Sequence, residues 1–572
     1  MFALEAYCLT SARYVLPLLA IWILLRCVRS MLREKYESEV WGYLRLPDGT
    51  YCPLRHWELT IGRSRFSDVV LDSADVSRSH AAMVRNSAGT WIVYDLNSSC
   101  GTKAGGLTVD PAGVEIADGD IIQIADIKLR FVDLNEAERQ NISLQRTEPG
   151  ERIRPESTFI ILTLFQAILA MAHSFTAKSE HILSIALAFA CVCLAQWAYY
   201  FIMRSLNRNG FEPETLAFFL TTVGLSVAAS SVPDAMIKQI VLLLAGIFLF
   251  VLLGWWLRNL ERVKKLRWVA GGVALGFLAL NLLISKELFG AKNWIEIAGF
   301  SLQPSEFVKI AYIYAGAASL DRLFTQRNLF MFIGFSAVCV GALALMGDFG
   351  TALVFFITFL VVSFMRSGNL ATVFLAIAGA CLAGFMALTV KPYIAQRFAN
   401  WGHVWEYAND GGYQQTRALS AAASGGLFGQ GAGSGWLKKI VAADTDLVFC
   451  VVCEELGLIL AVCSMAAILL LAFFVARSAA QGRSSYYVIA ACAAVSMMMA
   501  QMCLNVFGSV DILPFTGVTF PFVSRGGSSL ICCWALLAFI KAADTRQNAS
   551  FVVKNPGHFR DRWMQASEEE EE

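Results

Sequence analysis

Gln239-Ile-Val-Leu-Leu-Leu-Ala-Gly-Ile-Phe-Leu-Phe-Val-Leu-Leu-Gly-Trp-Trp-Leu257 holds no formal charge, and Arg258, Arg262, Lys264 and Lys265 follow it at once. A helix rises about 1.5 Å per residue, so such a run reaches roughly 28 Å, close to the thickness of a bilayer's hydrocarbon core. Basic residues at the end of a span mark its cytoplasmic side. Comparable runs lie at 14–28, 158–176, 181–203, 215–232, 268–285, 303–320, 329–346, 350–365, 371–390, 447–476, 486–507 and 526–540. Together they predict a polytopic α-helical membrane protein of about thirteen transmembrane helices.

The composition agrees. Of 572 residues, 56% are hydrophobic and only 16% are charged. Soluble globular chains are charged at about 25% of positions, which argues against a cytosolic enzyme. A net charge of +1 excludes a nucleic-acid binder, which needs a basic surface. Most of the 15 Cys sit in apolar runs and read as small hydrophobes, and the six His form no ligand cluster. Cys450 and Cys453 lack a second pair, so no structural metal site is expected.

Charge also divides the chain. The first span lacks a basic start and a small-residue cleavage site, so residues 1–37 read as an uncleaved anchor with the N-terminus outside. Residues 38–136 are polar, with short alternating stretches such as Thr90-Trp-Ile-Val-Tyr-Asp95, and predict a cytoplasmic all-β sandwich. A linker and two further helices occupy 137–210, a helical core 211–543, and an acidic-ended cytoplasmic tail 544–572. The loops with Arg204/Arg208, Arg322/Arg327, Arg366 and Arg477/Arg483 then all face inward, and 391–446 becomes a large outer loop.

Within the β region, Ile61-Gly-Arg-Ser64, Val76-Ser-Arg-Ser-His80 and Asp95-Leu-Asn-Ser-Ser-Cys-Gly-Thr102 follow in order. This pattern resembles the forkhead-associated (FHA) domain, which implies an eleven-stranded sandwich binding phosphothreonine peptides. The resemblance assigns the phosphate to Arg63 and Ser77 with help from Arg78, the peptide to Ser99, and a structural role to His80. A dianionic phosphate suits guanidinium and hydroxyl donors. Cys100 stands where the family has Asn, and a thiol cannot make an amide's paired bonds. Phosphothreonine binding and phosphate-independent docking both remain open.

Four segments put polar residues where lipid makes them costly. They are Asn293-Trp-Ile-Glu-Ile-Ala-Gly-Phe-Ser-Leu-Gln-Pro-Ser-Glu-Phe-Val-Lys309; Gly347-Asp-Phe-Gly-Thr-Ala352; a set from Gly412-Tyr-Gln414 through Ser424-Gly-Gly-Leu-Phe-Gly-Gln-Gly431 to Asp444-Thr-Asp-Leu-Val-Phe449 and Glu454-Glu-Leu-Gly457; and Leu513-Pro-Phe-Thr-Gly-Val-Thr-Phe-Pro-Phe-Val-Ser-Arg-Gly-Gly-Ser-Ser529. Glu306 and Lys309 lie one helical turn apart and read either as an ion pair or as a phosphate contact. Asp444 and Asp446 read as caps of the helix that follows. Glu454 lies roughly 12 Å further along that helix and reads as structural, like Glu455. The glycine-rich run 425–435 lacks the Lys-Ser/Thr ending of a phosphate loop and reads as flexible.

Together these motifs resemble the SEDS family (shape, elongation, division and sporulation), with FtsW, RodA and SpoVE among its members. The resemblance runs from about Glu214 to Lys541, accounts for a ten-helix core, and leaves the spans at 158–176 and 181–203 as additions. Leu447 replaces an aromatic residue of the family, and Arg525 replaces a tyrosine. The resemblance implies a peptidoglycan glycosyltransferase that polymerises lipid II in division, elongation or sporulation. Asp446 matches the catalytic carboxylate, and Glu306, Lys309, Asp348, Arg397, Gln414 and Ser528 are the candidate substrate contacts. It further implies a class B penicillin-binding protein as partner, with a threonine-phosphorylated protein for the FHA domain. A Mg or Mn ion accompanying the pyrophosphate is the one cofactor considered. A flippase of lipid-linked precursors, or a non-catalytic scaffold of the wall machinery, are the alternatives.

Overall fold

The computed structural model describes residues 2–33, 39–65, 67–86, 89–135, 138, 154–288, 291–297, 300–319, 326–367, 370–390, 395, 398–546 and 548–552. The boundary at 37/38, linker residues 139–153, Arg322, Arg397 and the tail beyond 552 lie outside the described residues.

The N-terminal sandwich has eleven strands: β1 (Gly42–Arg45), β2 (Tyr51–Pro53), β3 (Glu58–Gly62), β4 (Val69–Val70), β5 (Ala81–Arg85), β6 (Trp91–Asp95), β7 (Thr102–Ala104), β8 (Leu107–Thr108), β9 (Val114–Ile116), β10 (Ile121–Ile124) and β11 (Ile127–Asp133). One sheet runs β2-β1-β11-β10-β7-β8 and the other β4-β3-β5-β6-β9. Inward-facing Leu44, Ile61, Met83, Val93, Ile122 and Leu129 alternate with outward residues and close the core. Trp91 packs on Phe131 with ring centroids 6.1 Å apart.

The helical part comprises α1 (Phe2–Arg33), α2 (Pro155–Thr176), α3 (Ser179–Ser205), α4 (Glu212–Ser231), α5 (Met236–Trp256), α6 (Leu260–Lys265), α7 (Arg267–Ile284), α8 (Pro304–Ser319), α9 (Gln326–Leu345), α10 (Phe349–Ser367), α11 (Leu370–Val390), α12 (Tyr413–Gly425), α13 (Val448–Leu456), α14 (Leu458–Ala479), α15 (Ser485–Ser509) and α16 (Gly527–Ala542). Helices lie at every position read as a span. Among the described residues, nine are long and apolar enough to cross a membrane, with two shorter apolar helices beside them. The protein is a multi-pass membrane protein, although the count of about thirteen is not reached on that measure. The expected span at 447–476 is two helices, α13 and α14, parted at Gly457, whose φ of 92° a glycine tolerates. Strands β12 (Lys286–Leu288), β13 (Ala291–Ile297) and β14 (Phe300–Leu302) form a small antiparallel sheet before α8 that the apolar pattern did not suggest.

Between helices in lipid, close packing replaces hydrophobic burial as the source of cohesion. Small residues on α4 and α5 permit it. A Cβ on Gly246 would meet Trp534 at 3.1 Å, and one on Gly224 would meet the Phe522 carbonyl at 2.5 Å. The two additional helices are joined to the core by polar side chains. Gln166 Nε2 donates to Gln196 Oε1 at 2.9 Å and to Thr222 Oγ1 at 3.1 Å, and His173 Nε2 meets Ser226 Oγ at 2.7 Å. Ser30 of α1 donates to Glu212 at 2.6 Å.

The sandwich is docked on one end of this bundle. Glu58, 2% exposed, accepts from Lys264 Nζ at 2.9 Å, Ser484 Oγ at 3.1 Å and Ser485 N at 3.3 Å. Trp57 N donates to the Arg483 carbonyl at 2.7 Å, and the Trp57 ring meets Tyr487 at 6.2 Å. Arg483 also pairs with Glu39. From this end α15 carries the chain over 25 residues, about 37 Å, to the opposite end of the bundle.

Candidate active site

At that far end a tight turn precedes α13. Ala442 takes φ 59°, and its carbonyl accepts from Thr445 N at 3.2 Å and Asp446 N at 2.8 Å. The cap position of α13 falls on Leu447, which offers no side-chain cap. Asp444, expected as a cap, instead forms an ion pair with Arg525, whose own N–H donates to the Asp444 carbonyl at 2.9 Å. A guanidinium supplies a charge-assisted bond that is stronger than a cap N–H, and this explains the difference. The replacement of tyrosine by Arg525 thus has a local partner.

Asp446 is half-buried. Its carboxylate lies against Gly517, where a Cβ would come within 3.1 Å of Oδ2, and Gly517 has φ 69°. Only glycine meets both demands. Asn505 of α15, 2% exposed, donates Nδ2 to the Asp446 carbonyl at 3.0 Å and to the Val518 carbonyl at 2.8 Å. Ser524 Oγ donates to the Thr445 carbonyl at 2.6 Å and accepts from Phe520 N at 2.8 Å. The third and fourth motifs are therefore stitched together around the carboxylate.

The first two motifs join the same assembly. Gln303 N donates to Ser528 Oγ at 3.2 Å, and Gln303 Nε2 reaches Asp348 Oδ2 at 3.2 Å. Asp348 Oδ1 accepts from Thr351 N at 3.0 Å at the start of α10. A Cβ on Gly350 would meet Val518 Cγ2 at 2.5 Å, so α10 abuts the residue after Gly517. Glu306 and Lys309 form a buried ion pair at 2.5 Å, 3% and 2% exposed, which is the first of their two readings. Gln414 is half-buried and donates to the Val441 carbonyl at 2.9 Å, which ties α12 to the Asp446 turn.

Parts of the glycine-rich run are close-packed, although Gly426 has nothing within 4 Å of a would-be Cβ. A Cβ on Gly425 would sit 2.0 Å from the Cys453 carbonyl, and one on Gly429 would sit 2.3 Å from that of Glu455. Glu454 accepts from Trp436 N at 2.8 Å and Leu437 N at 3.0 Å, and Glu455 accepts from Gly433 N at 2.9 Å. Both carboxylates thus organise the 433–437 backbone, which matches their structural reading.

In the sandwich, Ser77 Oγ and Ser99 Oγ stand 3.0 Å apart, and Ser99 N donates to Ser77 Oγ at 3.1 Å. Arg63 N donates to the Ser77 carbonyl at 3.0 Å, and the Arg63 and Arg78 side chains are exposed. His80 is fully buried: its Nδ1 accepts from Ser77 N at 3.1 Å, so Nε2 carries the proton toward the Gly101 carbonyl at 3.2 Å. Burial works against the charge of Asp95, but bonds from Ser98 and Thr102 outweigh it and hold that carboxyl below its ordinary range. Four residues expected at a phosphopeptide site are thus gathered at the end of β3 away from Glu58. Cys100 is exposed beside them.

A family model described as "Cell cycle protein", for FtsW, RodA and SpoVE, matches residues 216–549. The chain belongs to the FtsW/RodA/SpoVE family. An FHA-domain model matches 59–125. The peptidoglycan glycosyltransferase RodA of Mycobacterium leprae is 31% identical over 323 residues, covering 53% of this chain and 68% of that protein. Stage V sporulation protein E of Bacillus subtilis is 33% identical over 254 residues, 42% of this chain and 68% of that one. Among solved structures, a chain of a peptidoglycan synthase complex is 26% identical with a TM-score of 0.48, covering 59% of this chain and 98% of that one. The enzyme class that the family relatives carry is peptidoglycan glycosyltransferase.

Asn505 escaped the sequence reading. Its signal was a pair of amides, Gln501 and Asn505, one turn apart inside an apolar span, the same kind of signal that singled out Glu306. The donors present do not fit a resident metal: Asp444 is committed to Arg525, and among the described residues no three His, Cys, Asp or Glu side chains come together.

Proposed function

We propose that this family member polymerises lipid II into glycan strands at the outer membrane face by inverting glycosyl transfer. The observation that carries the reading is the half-buried Asp446 carboxylate, packed against Gly517 on a turn whose backbone Asn505 pins, at the end of α15 opposite the docked sandwich. Asp446 takes the proton from the attacking sugar hydroxyl as the acceptor oxygen bonds to the donor's anomeric carbon and the pyrophosphate departs. Asn505 and Ser524 hold the carboxylate's turn while the charge shifts. No step runs through a metal of the protein's own; a divalent ion belongs with the pyrophosphate of the substrate.

In this reading the Asp446 end and the N-terminus face outward, and the FHA domain and C-terminus lie in the cytoplasm. The basic loops, which gather toward the sandwich end, support it. The FHA domain recruits a threonine-phosphorylated protein through Arg63, Ser77, Arg78 and Ser99, and the paired Ser77 and Ser99 hydroxyls support that role. The family resemblance makes a class B penicillin-binding protein the cross-linking partner.

The test is polymerisation of purified lipid II by the full chain with its transpeptidase partner. Asp446→Asn keeps the side-chain shape and removes the base, so the rate should fall about 10²–10⁴-fold with thermal unfolding unchanged. Normal polymer from the Asn variant overturns the assignment.

A further inference from the structure

A cavity of about 350 Å³ opens on the side of the bundle, between the end of α3, the second half of α5 and Phe551. Its outer wall consists of Leu206, Phe248, Leu252 and Trp255, which are 49%, 69%, 43% and 52% exposed. In a membrane protein such a wall faces acyl chains. Two guanidiniums line the same cavity. Arg208 donates to the Ser550 carbonyl at 2.5 Å, and Arg258 Nε donates to the Phe551 carbonyl at 2.7 Å. Both arginines are thereby anchored on the C-terminal segment.

The floor is rigid. A Cβ on Gly254 would meet the Phe551 ring at 2.6 Å, so the C-terminal segment lies directly on α5. Both arginines follow helix ends, Ser205 for α3 and Trp256 for α5, and Tyr487 beside the docked sandwich donates to the Leu257 carbonyl at 2.8 Å. The cations therefore stand where a helix leaves the hydrocarbon, with Trp255 at the level aromatic belts occupy. Burial disfavours the charge on Arg208, and Arg258 and Arg483 add like-charge repulsion. An anion in the cavity relieves that repulsion.

We propose that this groove binds an anionic phospholipid of the membrane leaflet on the sandwich side, with its phosphate on Arg208 and Arg258 and an acyl chain along Phe248, Leu252 and Trp255. Charge complementarity selects the headgroup, and the exposed apolar wall selects a lipid over a free anion. Phe248, Leu252, Trp255 and Arg258 lie within the 216–549 family match, while Leu206, Arg208 and Phe551 lie outside it, so the groove forms where the family core meets its flanking segments. The inference rests on the membrane location alone and stands apart from glycosyl transfer.

The experiment uses the full chain purified in detergent. Retained lipid is measured by native mass spectrometry, and thermal unfolding is followed with added phosphatidylglycerol, phosphatidylcholine or inorganic phosphate. Phosphatidylglycerol should be retained preferentially and should raise the unfolding temperature, while phosphatidylcholine and phosphate leave it in place. Arg208→Gln and Arg258→Gln should each weaken phosphatidylglycerol binding about fivefold. Leu252→Trp fills the groove from its exposed wall, leaves both arginines in place, and should also displace the lipid, which keeps the test available if Arg208→Gln fails to fold. Two outcomes overturn the proposal: unchanged phosphatidylglycerol retention in Arg258→Gln and Leu252→Trp, or a shift with inorganic phosphate equal to that with phosphatidylglycerol.

Discussion

A single amide does most to shape the surroundings of Asp446. Asn505 lies buried in α15 and satisfies carbonyls on two separate loops, at Asp446 and Val518. Truncation to alanine leaves both acceptors unpaired in a low-dielectric setting, at a cost of about 1–3 kcal/mol. Asn505→Ala is expected to lower the polymerisation rate at saturating lipid II about tenfold while the carboxylate itself remains. Turnover measured alongside thermal unfolding checks this; an unchanged rate at a lowered unfolding temperature assigns Asn505 to stability alone. Arg525 shows the other side of residue-scale reading. Its departure from the family's tyrosine was visible in the sequence, but its partner Asp444 lies 81 positions away, and no local pattern links the two.

At the scale of elements, the motifs were legible because each put charge or glycine into an apolar background, where lipid leaves polar atoms without solvent. The break between α13 and α14 was not, because an isolated glycine within a hydrophobic run reads as tolerated. Close approach of backbones is the reason for that glycine: a Cβ on Gly457 would sit 2.3 Å from the Leu427 carbonyl, at φ 92°. The same crowding recurs at Gly425, Gly429 and Gly435 in the run whose composition alone suggested mobility. Gly457→Ala and Gly425→Ala should each destabilise the protein by on the order of 3 kcal/mol, seen as a clear loss of folded yield and unfolding temperature. Gly272→Ala is the control, because nothing lies within 4 Å of its would-be Cβ on α7. A control as damaging as the other two would refute the packing argument. The sandwich was the most legible element, since alternation and turn spacing report directly on strands.

For the molecule as a whole, Glu58 fastens the sandwich to the helical bundle. It is buried among Lys264 of α6 and Ser484 and Ser485 at the start of α15, three donors from two separate elements. Glu58→Ala removes a charged acceptor and leaves the Lys264 ammonium beside a void, weakening the docking by about 2 kcal/mol. Hydrogen exchange at 56–58 and 482–485 should rise, while exchange inside the sandwich and glycan synthesis stay as they were. Unaltered exchange at 482–485 would show that Trp57 and Arg483 suffice. None of these docking contacts could be read in advance, because each joins residues more than two hundred positions apart.

Strand β3 has Glu58 at one end and Gly62, next to Arg63, at the other, a rise of about 13 Å. Anything captured at the Arg63 end is therefore held at a fixed height from the bundle instead of roaming on a tether. Its encounters with the loops around it become effectively intramolecular, at the millimolar local concentrations that short linkages confer. The phosphoprotein recruitment proposed above would thus concentrate that partner beside the bundle without raising its level in the rest of the cell.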